Sequence, residues 1–109
     1  MTLVDDGNLG IGTVTPDARL SVIGTVRAAN DDVESEYLEI THDGADANIN
    51  AVGDGALNFM HDSSAEMTLL DDGNLGVGTT SPDVELSVVG IIRASNDTDE
   101  TEYLEIKHG

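Results

Sequence analysis

The sequence predicts an all-β fold, and within that class an elongated, repetitive β-structure. Three observations carry this prediction. Apolar and polar residues alternate with a period of two in several short segments, which is the pattern of half-buried strands. Tight-turn dipeptides separate these segments at a regular spacing of roughly ten residues, as in sandwiches, barrels and solenoids. Most of the chain also belongs to an internal repeat, which is typical of repetitive architectures.

The repeat has an offset of 66 residues. Residues 1–43 align with residues 67–109 without a gap, and 28 of the 43 positions are identical. The predicted organisation is therefore a first complete repeat at 1–66 and a second, truncated repeat at 67–109. We interpret the chain as a window from a longer periodic protein, in which neighbouring repeats bury each other's ends.

The alternation places the strands one by one. In 37–41, Leu38 and Ile40 share a face opposite Glu39. The same pattern predicts three further strands, with the stated residues on one face: 47–51 with Ala47, Ile49 and Ala51, 57–60 with Leu57 and Phe59, and 86–89 with Leu86 and Val88. Asp-Gly, a strong turn signal, occurs at 6–7, 43–44, 54–55 and 72–73. Residues 31–37 are acidic and lack an apolar stripe, which predicts a loop with at most one helical turn.

Composition excludes several classes of protein. The 109 residues contain 4 Lys and Arg against 22 Asp and Glu, a formal net charge of −18, and no cysteine. Such a chain is not attracted to phosphate backbones or anionic lipid, so we expect no nucleic-acid partner. No apolar run is long enough for a membrane span, and the N-terminus does not read as a secretory signal. Leu, Ile, Val and Phe make up 28 of the residues, enough for an ordered chain.

Paired glycines recur at Gly10 and Gly12 and again at Gly76 and Gly78. A nucleotide-binding loop would need a third glycine and a helix after the second, but prolines follow instead. The spacing favours a strand whose backbone approaches another segment so closely that a Cβ would clash. The sequence thus gives no cofactor site.

Acidic segments raise the question of calcium. Asp46, Asn48 and Asn50 begin like a calcium loop, but Ala51 and Leu57 stand where the pattern needs Gly and Glu. We therefore predict a strand there and no metal site. Looser binding of calcium at acidic turns stays open as an alternative, with these candidate residues: Asp43 and Asp46, or Asp5, Asp6, Asp71 and Asp72.

The remaining polar candidates favour no catalysis. His42, His61 and His108 each end a predicted strand, and nothing marks a nucleophile beside them. They are predicted to be polar residues that flank turns, and the protein is predicted not to be an enzyme. Arg27 and Arg93 occupy matched positions near acidic runs and are predicted to compensate local charge. The glycosylation sequon at Asn96 lacks a counterpart in the first repeat and is interpreted as chance.

The phrase Asp-Gly-Asn-Leu-Gly-Ile-Gly-Thr-Val-Thr-Pro at residues 6–16, with its second copy from residue 72, resembles a motif of bacteriophage tail fibres and related trimeric fibre proteins. The stretch 37–67 resembles shaft segments of such fibres in composition. The resemblance implies a parallel homotrimeric, intertwined β-helix or β-prism shaft that acts as a stiff spacer. It implies an extracellular location, in a virion tail fibre or a cell-surface filament. It also implies that a part outside this chain binds a cell-surface receptor.

Physical reasoning supports an assembly independently of the family. A single thin chain with one apolar face on each short strand has nothing to cover that face, whereas three copies around an axis bury it mutually. We expect the contacts to be made by the aliphatic faces and the repeated glycines, namely Leu20, Val22, Leu38, Ile40, Ile49, Leu57, Phe59, Leu69, Leu86 and Val88 with Gly10, Gly12, Gly76 and Gly78.

Two alternatives remain open from the sequence. One is a monomeric calcium-binding β-solenoid segment of a secreted protein or surface adhesin, whose apolar face would close within one chain. The other is a carbohydrate-binding or hydrolysing module. The second is disfavoured because the chain has only three aromatic residues, too few for an exposed aromatic platform.

Overall fold

The computed structural model describes residues 1–30, 35–95 and 103–107, and every regular element in these ranges is a β-strand. The strands are β1 (Thr2–Leu3), β2 (Leu9–Ile11), β3 (Leu20–Val22), β4 (Val26–Ala29), β5 (Tyr37–His42), β6 (Ala47–Val52), β7 (Leu57–His61), β8 (Ser64–Leu69), β9 (Leu75–Val77), β10 (Leu86–Val88), β11 (Ile91–Ser95) and β12 (Tyr103–Lys107). The prediction of an all-β chain is confirmed. Among these described residues, no helix has the length and hydropathy of a membrane span.

The chain divides into two compact units, residues 1–53 and 54–109. The first unit holds two three-stranded sheets, ordered β1-β2-β3 and β4-β5-β6, and the second holds a four-stranded sheet ordered β10-β9-β8-β7 and the pair β11-β12. None of these sheets closes into a barrel. The units do not divide where the sequence repeat divides, because β7 precedes residue 67 yet joins the sheet of β8 and β9.

Strand register confirms the predicted alternation in the first unit. β5 pairs antiparallel with β4 and with β6, and the pairs Leu38–Ala51 and Ile40–Ile49 lie directly opposite each other. Residues that lie opposite in an antiparallel pair share a face of the sheet. The aliphatic residues of the three strands therefore form one face, as the sequence predicts. Of the predicted loop at 31–37, residues 31–34 lie outside the described residues.

A two-residue turn joins β7 to β8. Asp62 and Ser63 have φ of 48° and 66°, the positive values that the type I′ hairpin turn requires at both central positions. The pairing is regular from Leu57 to Phe59 and shifts register between Phe59 and Met60. Alternation predicted the strand, but such an irregularity leaves no mark in a pattern of period two.

The Asp-Gly turns are present where the sequence predicts them. Gly7 N donates a hydrogen bond to Val4 O at 2.9 Å, and Gly73 N donates to Leu70 O at 3.0 Å. Each turn brings a strand back antiparallel on its predecessor, β1 to β2 and β8 to β9. Both copies of the repeat thus begin with the same short hairpin.

Each copy then makes a parallel pair that turn signals did not predict. β3 lies parallel to β2, with Leu9 opposite Leu20, and β10 lies parallel to β9, with Leu75 opposite Leu86. Only residues 12–19 and 78–85 connect the two strands of each pair. Parallel neighbours ordinarily need a crossover of about a dozen residues or more. A special local structure must therefore close these two connections.

Candidate functional site

We call residues 12–19 and 78–85 the crossover loops. Each loop packs against a glycine of the preceding strand, where a larger side chain would occupy its space. A Cβ on Gly10 would collide with Thr13 O and lie 3.4 Å from Pro16 Cδ. Gly10 and Pro16 are both buried. Gly76 has the same relation to Thr79 and Pro82 in the second copy, where its Cβ would also meet backbone. The predicted close approach is confirmed, and its partner is the next segment of the same chain.

The second glycine of each pair has a further constraint. Gly12 has φ of +79° and Gly78 has φ of +78°, in the left-handed region that L side chains avoid. A Cβ would lie 2.6 Å from Ile23 O at Gly12 and 2.7 Å from Val89 O at Gly78. Both the conformation and the space therefore require glycine here. The loop can turn within eight residues because its backbone passes this close to the strand it returns to.

Polar side chains fasten each crossover loop to the hairpin before it. Asn8 Nδ2 donates to Pro16 O at 3.3 Å, and Asp6 Oδ1 accepts a bond from Asn8 N at 2.9 Å. In the second copy, Asn74 Nδ2 donates to Pro82 O at 3.3 Å, and Asn74 N donates to Asp72 Oδ1 at 2.9 Å. Each residue of the repeated phrase thus has a structural role. The aspartate stabilises the turn, the asparagine holds the loop, and the glycine leaves space for the proline that packs against it.

The crossover loops cover the small and polar face of their sheets. In the four-stranded sheet, Asn58, Thr68, Gly76 and Ser87 lie in one row across the strands. Thr68 is the most enclosed side chain of the described residues, at 1% exposure, and its Oγ1 donates to Asn58 Oδ1 at 2.8 Å. Within this row Thr68 and Gly76 are buried, whereas Ser87 is half-buried and Asn58 at the edge is exposed.

The opposite face of the same sheet carries its apolar side chains. We call this the leucine face of the second unit, and its members lie in two adjacent rows: Leu57, Leu69, Leu75 and Leu86, then Phe59, Met67, Val77 and Val88. Nothing in the described residues covers it, and Leu86 is 56% exposed. Leu3, Leu9 and Leu20 form the equivalent row in the first unit.

The sheet β4-β5-β6 also leaves its apolar side chains exposed. Its isoleucine face consists of Val26, Ala28, Leu38, Ile40, Ile49 and Ala51. Ile49 is 60% exposed, whereas the side chain of Glu39, on the opposite face, is only 20% exposed. Across the whole described part of the chain, no hydrophobic residue is buried. The aliphatic residues predicted to make contacts are thus the uncovered ones.

Arginine is paired on the polar face of that sheet. Arg27 Nη2 lies 3.1 Å from Glu39 Oε2, and its guanidinium stacks 3.8 Å from the centre of the Tyr37 ring. In the second copy, Arg93 Nη2 lies 2.9 Å from Glu105 Oε2. The predicted charge compensation is confirmed, with the cross-strand glutamate as the partner seen. Exposed pairs of this kind contribute at most about 1 kcal/mol.

His42 and His61 flank turns as predicted. His42 ends β5, and its Nδ1 accepts a hydrogen bond from Gly44 N at 3.1 Å. His61 ends β7 beside the turn residue Asp62, with Nδ1 3.9 Å from its carboxylate and both side chains exposed. His108 lies outside the described residues, as does the sequon at Asn96.

The acidic turns are organised by their own backbone. Asp43 Oδ1 accepts hydrogen bonds from Asp46 N at 2.8 Å and from Ala45 N at 2.9 Å. These bonds stabilise the charged form and lower the pKa of Asp43 below its ordinary value. Asn48 and Asn50 lie in β6, so the strand interpretation is confirmed there. Within residues 1–30, 35–95 and 103–107, no three His, Asp or Glu side chains are grouped closely enough to hold a metal ion.

No protein-family model matches this chain, and no curated protein matches it significantly. What the arrangement can do is therefore judged on its geometry. The crossover loops are closed by non-covalent bonds within the chain, and the two apolar faces are open. Sequence reasoning found the glycines and the aliphatic residues, but it missed the burial of Thr68 in the row of small and polar residues. The signal was the set of small residues Thr68, Gly76 and Ser87, each beside a leucine of the open face.

Proposed function

We propose that this chain is a structural shaft segment of an extracellular homotrimeric fibre, which acts as a stiff spacer for attachment to a host or surface. One observation carries the proposal: no hydrophobic residue of the described part of the chain is buried, and the most enclosed side chain, Thr68, is polar. A soluble monomer does the reverse, because exposed apolar area costs about 25 cal/mol per Å². A face of this kind calls for a partner.

The amount of exposed surface supports a partner of substantial size. The chain exposes 8394 Å². A compact globule of 11.4 kDa exposes about 5,800 Å², and two separate globules of half that mass expose about 7,000 Å² together. The excess of roughly 1,400 to 2,600 Å² per chain falls in the range that one member of an obligate assembly buries.

Charge supports copies of the same chain as that partner. The leucine and isoleucine faces contain no Asp, Glu, Lys or Arg, whereas the chain as a whole carries a net charge of −18. Two such chains repel each other everywhere except through uncharged faces. A trimer would carry three times that charge, which opposes lateral association between rods, and salt would lower the repulsion.

The mechanism of the proposed shaft is mechanical. Burial of the aliphatic faces around a common axis, with pairing of strand edges between chains, gives the rod its stiffness. Each crossover loop holds two parallel strands in register, so the same faces recur along the rod. A longer parent chain would supply further repeats, and a part outside this chain would bind the cell-surface receptor.

Sedimentation equilibrium combined with circular dichroism tests the proposal. We expect a mass near 34 kDa, three times the 11.4 kDa of one chain, together with a β-type spectrum and a rod-like scattering profile. A folded β-rich monomer would contradict the proposal. If EDTA melted such a monomer, the calcium-binding solenoid would replace it.

A matched pair of variants connects the mass to the open faces. Ile49→Asp places a charge on the isoleucine face, and Asn50→Asp places the same charge on the next residue of β6, which faces the other way. We expect Ile49→Asp to abolish the trimer at concentrations where Asn50→Asp remains trimeric. Equal behaviour of the two variants would remove the isoleucine face from the proposed interface.

A further inference from the structure

The outer edge of β1 has the same sequence as an edge that is occupied elsewhere in the molecule. Residues 1–3 and 67–69 are both Met-Thr-Leu. β1 pairs with β2 in the register Thr2–Gly10, and β8 pairs with β9 in the equivalent register Thr68–Gly76. The two strands therefore present the same backbone and side chains on their other edge.

In the second unit, β7 occupies that edge. Leu57 lies opposite Leu69, Asn58 opposite Thr68 and Phe59 opposite Met67. Asn58 accepts the hydrogen bond of the Thr68 hydroxyl at 2.8 Å. The edge is thus matched by a strand with leucine, an amide and an aromatic residue at successive positions.

Occupation changes the exposure of identical residues. Leu69 is 39% exposed beside β7, whereas its counterpart Leu3 is 74% exposed. Thr68 is enclosed, whereas Thr2 is only half-buried. Within the described residues, β1 pairs with β2 alone, and an unpaired edge is a template for another strand.

A second contact points to a hairpin as the occupant. Gly78 N donates a hydrogen bond at 3.0 Å to the carbonyl oxygen of Glu66, the residue that directly precedes Met67. The equivalent acceptor for Gly12 would belong to the residue directly preceding Met1. A hairpin whose second strand runs directly into Met1 would provide both a strand to pair with β1 and a carbonyl oxygen to accept the hydrogen bond of Gly12 N.

We infer that the outer edge of β1 is the docking edge for a hairpin with the sequence of residues 54–66, joined to Met1. Each repeat would thereby complete the next one, by a polar pair between Asn and Thr and by leucine and phenylalanine against Leu3 and Met1. This inference concerns order along the chain and holds for any number of chains in the assembly.

The test adds residues 54–66 ahead of Met1 in the full chain and measures the reactivity of one introduced thiol. Because the chain has no cysteine, Thr2→Cys and Thr68→Cys each provide a single site for iodoacetamide. We expect Thr68→Cys to react slowly and Thr2→Cys to react rapidly without the added hairpin. With it, Thr2→Cys should slow by at least about tenfold.

A control hairpin of the same length, in which the residues equivalent to Leu57 and Phe59 are aspartate, should give no protection. Equal rates for Thr2→Cys with and without the native hairpin would overturn the inference. A melting curve of each chain reports whether the first unit is folded, and a folded unit with a reactive thiol contradicts docking. Sedimentation on the same samples separates the two proposals. A trimer in which Thr2→Cys is unprotected contradicts docking of the hairpin alone. A monomer in which Thr2→Cys is protected contradicts only the proposed fibre.

Discussion

The two copies of the repeated phrase have the same internal structure and different surroundings. In both, the turn, the asparagine tie and the glycine contacts agree to within about 0.1 Å in the corresponding distances. Yet Thr68 is enclosed in the second copy, where β7 lies beside β8, whereas its counterpart Thr2 is half-buried. The crossover is therefore specified locally by its own residues, whereas burial is supplied by a neighbour, as in other repeat proteins.

The largest expected effect comes from valine at the second glycine of either copy. In Gly12→Val and Gly78→Val, a β-branched residue would take a left-handed conformation with its Cβ against a carbonyl oxygen. We expect each to cost roughly 3 kcal/mol or more and to block assembly. Sedimentation and thermal melting measure both effects. Because the contact is local, the two copies should suffer alike.

Ile11→Val is the matched control for that experiment, since Val77 already stands at the equivalent position, and it should leave the mass and the melting temperature nearly unchanged. An unchanged trimer in Gly12→Val would contradict the role given to the crossover.

A smaller effect should separate the copies. Thr68→Val keeps the shape of the side chain but removes the hydroxyl that donates to Asn58, and loss of such a bond costs about 1 kcal/mol. Thr2→Val removes a hydroxyl that has no strand like β7 beside it, and should change the free energy of unfolding by less than about 0.5 kcal/mol. Urea unfolding of both variants measures the difference. Equal costs would show that the neighbour contributes nothing.

The hairpin that encloses the second copy offers a stabilising change. Ser63 has φ of 66°, where glycine is unstrained and serine is not. Ser63→Gly should therefore raise the stability of the second unit by about 0.5 kcal/mol. Ser64→Gly, the control one residue into β8, should lower it. Thermal melting distinguishes the two, and a destabilised Ser63→Gly would contradict the turn assignment.

The smallest effect concerns the turn at residues 43–46, whose counterpart begins at Gly109, outside the described residues. The pKa of Asp43 is lowered by hydrogen bonds from the N–H groups of Asp46 and Ala45. The charged carboxylate therefore adds stability above its ordinary pKa of 3.8, and this contribution is lost as the pH falls below that value. Asp43→Asn keeps the acceptor oxygen without the titration. Melting temperatures measured from about pH 5 to about pH 2 should fall more steeply in the parent than in the variant.

Prediction from sequence succeeded where structure depends on neighbours in the chain. The alternation at Leu38 and Ile40 and the Asp-Gly turns follow from local rules, and they are confirmed. The parallel pairing of β2 with β3 did not follow from the same rules. A turn signal predicts that the chain reverses its direction, but it does not predict that a later strand will pair in parallel with an earlier one. The close approach predicted at Gly10 is confirmed, but a local pattern does not identify its partner, Thr13.

The candidate faces illustrate a different limit. Leu86 and Val88 were predicted to lie on one face because period-two alternation fixes sidedness. Which face is covered is a separate question, and alternation cannot answer it. In most domains the apolar face is the covered one, but here the crossover loop lies over Gly76, on the opposite face. Only the three-dimensional path of residues 78–85 shows this inversion.

The short span of the crossovers also fixes a sequence of events during synthesis. Gly10 meets Thr13 and Leu9 meets Arg19, so every contact of the first crossover is made within one brief stretch of chain. Contacts so near in sequence form in microseconds, far faster than a ribosome adds the next residue. A crossover can thus begin to form as soon as its residues leave the ribosome, before the next repeat has been made.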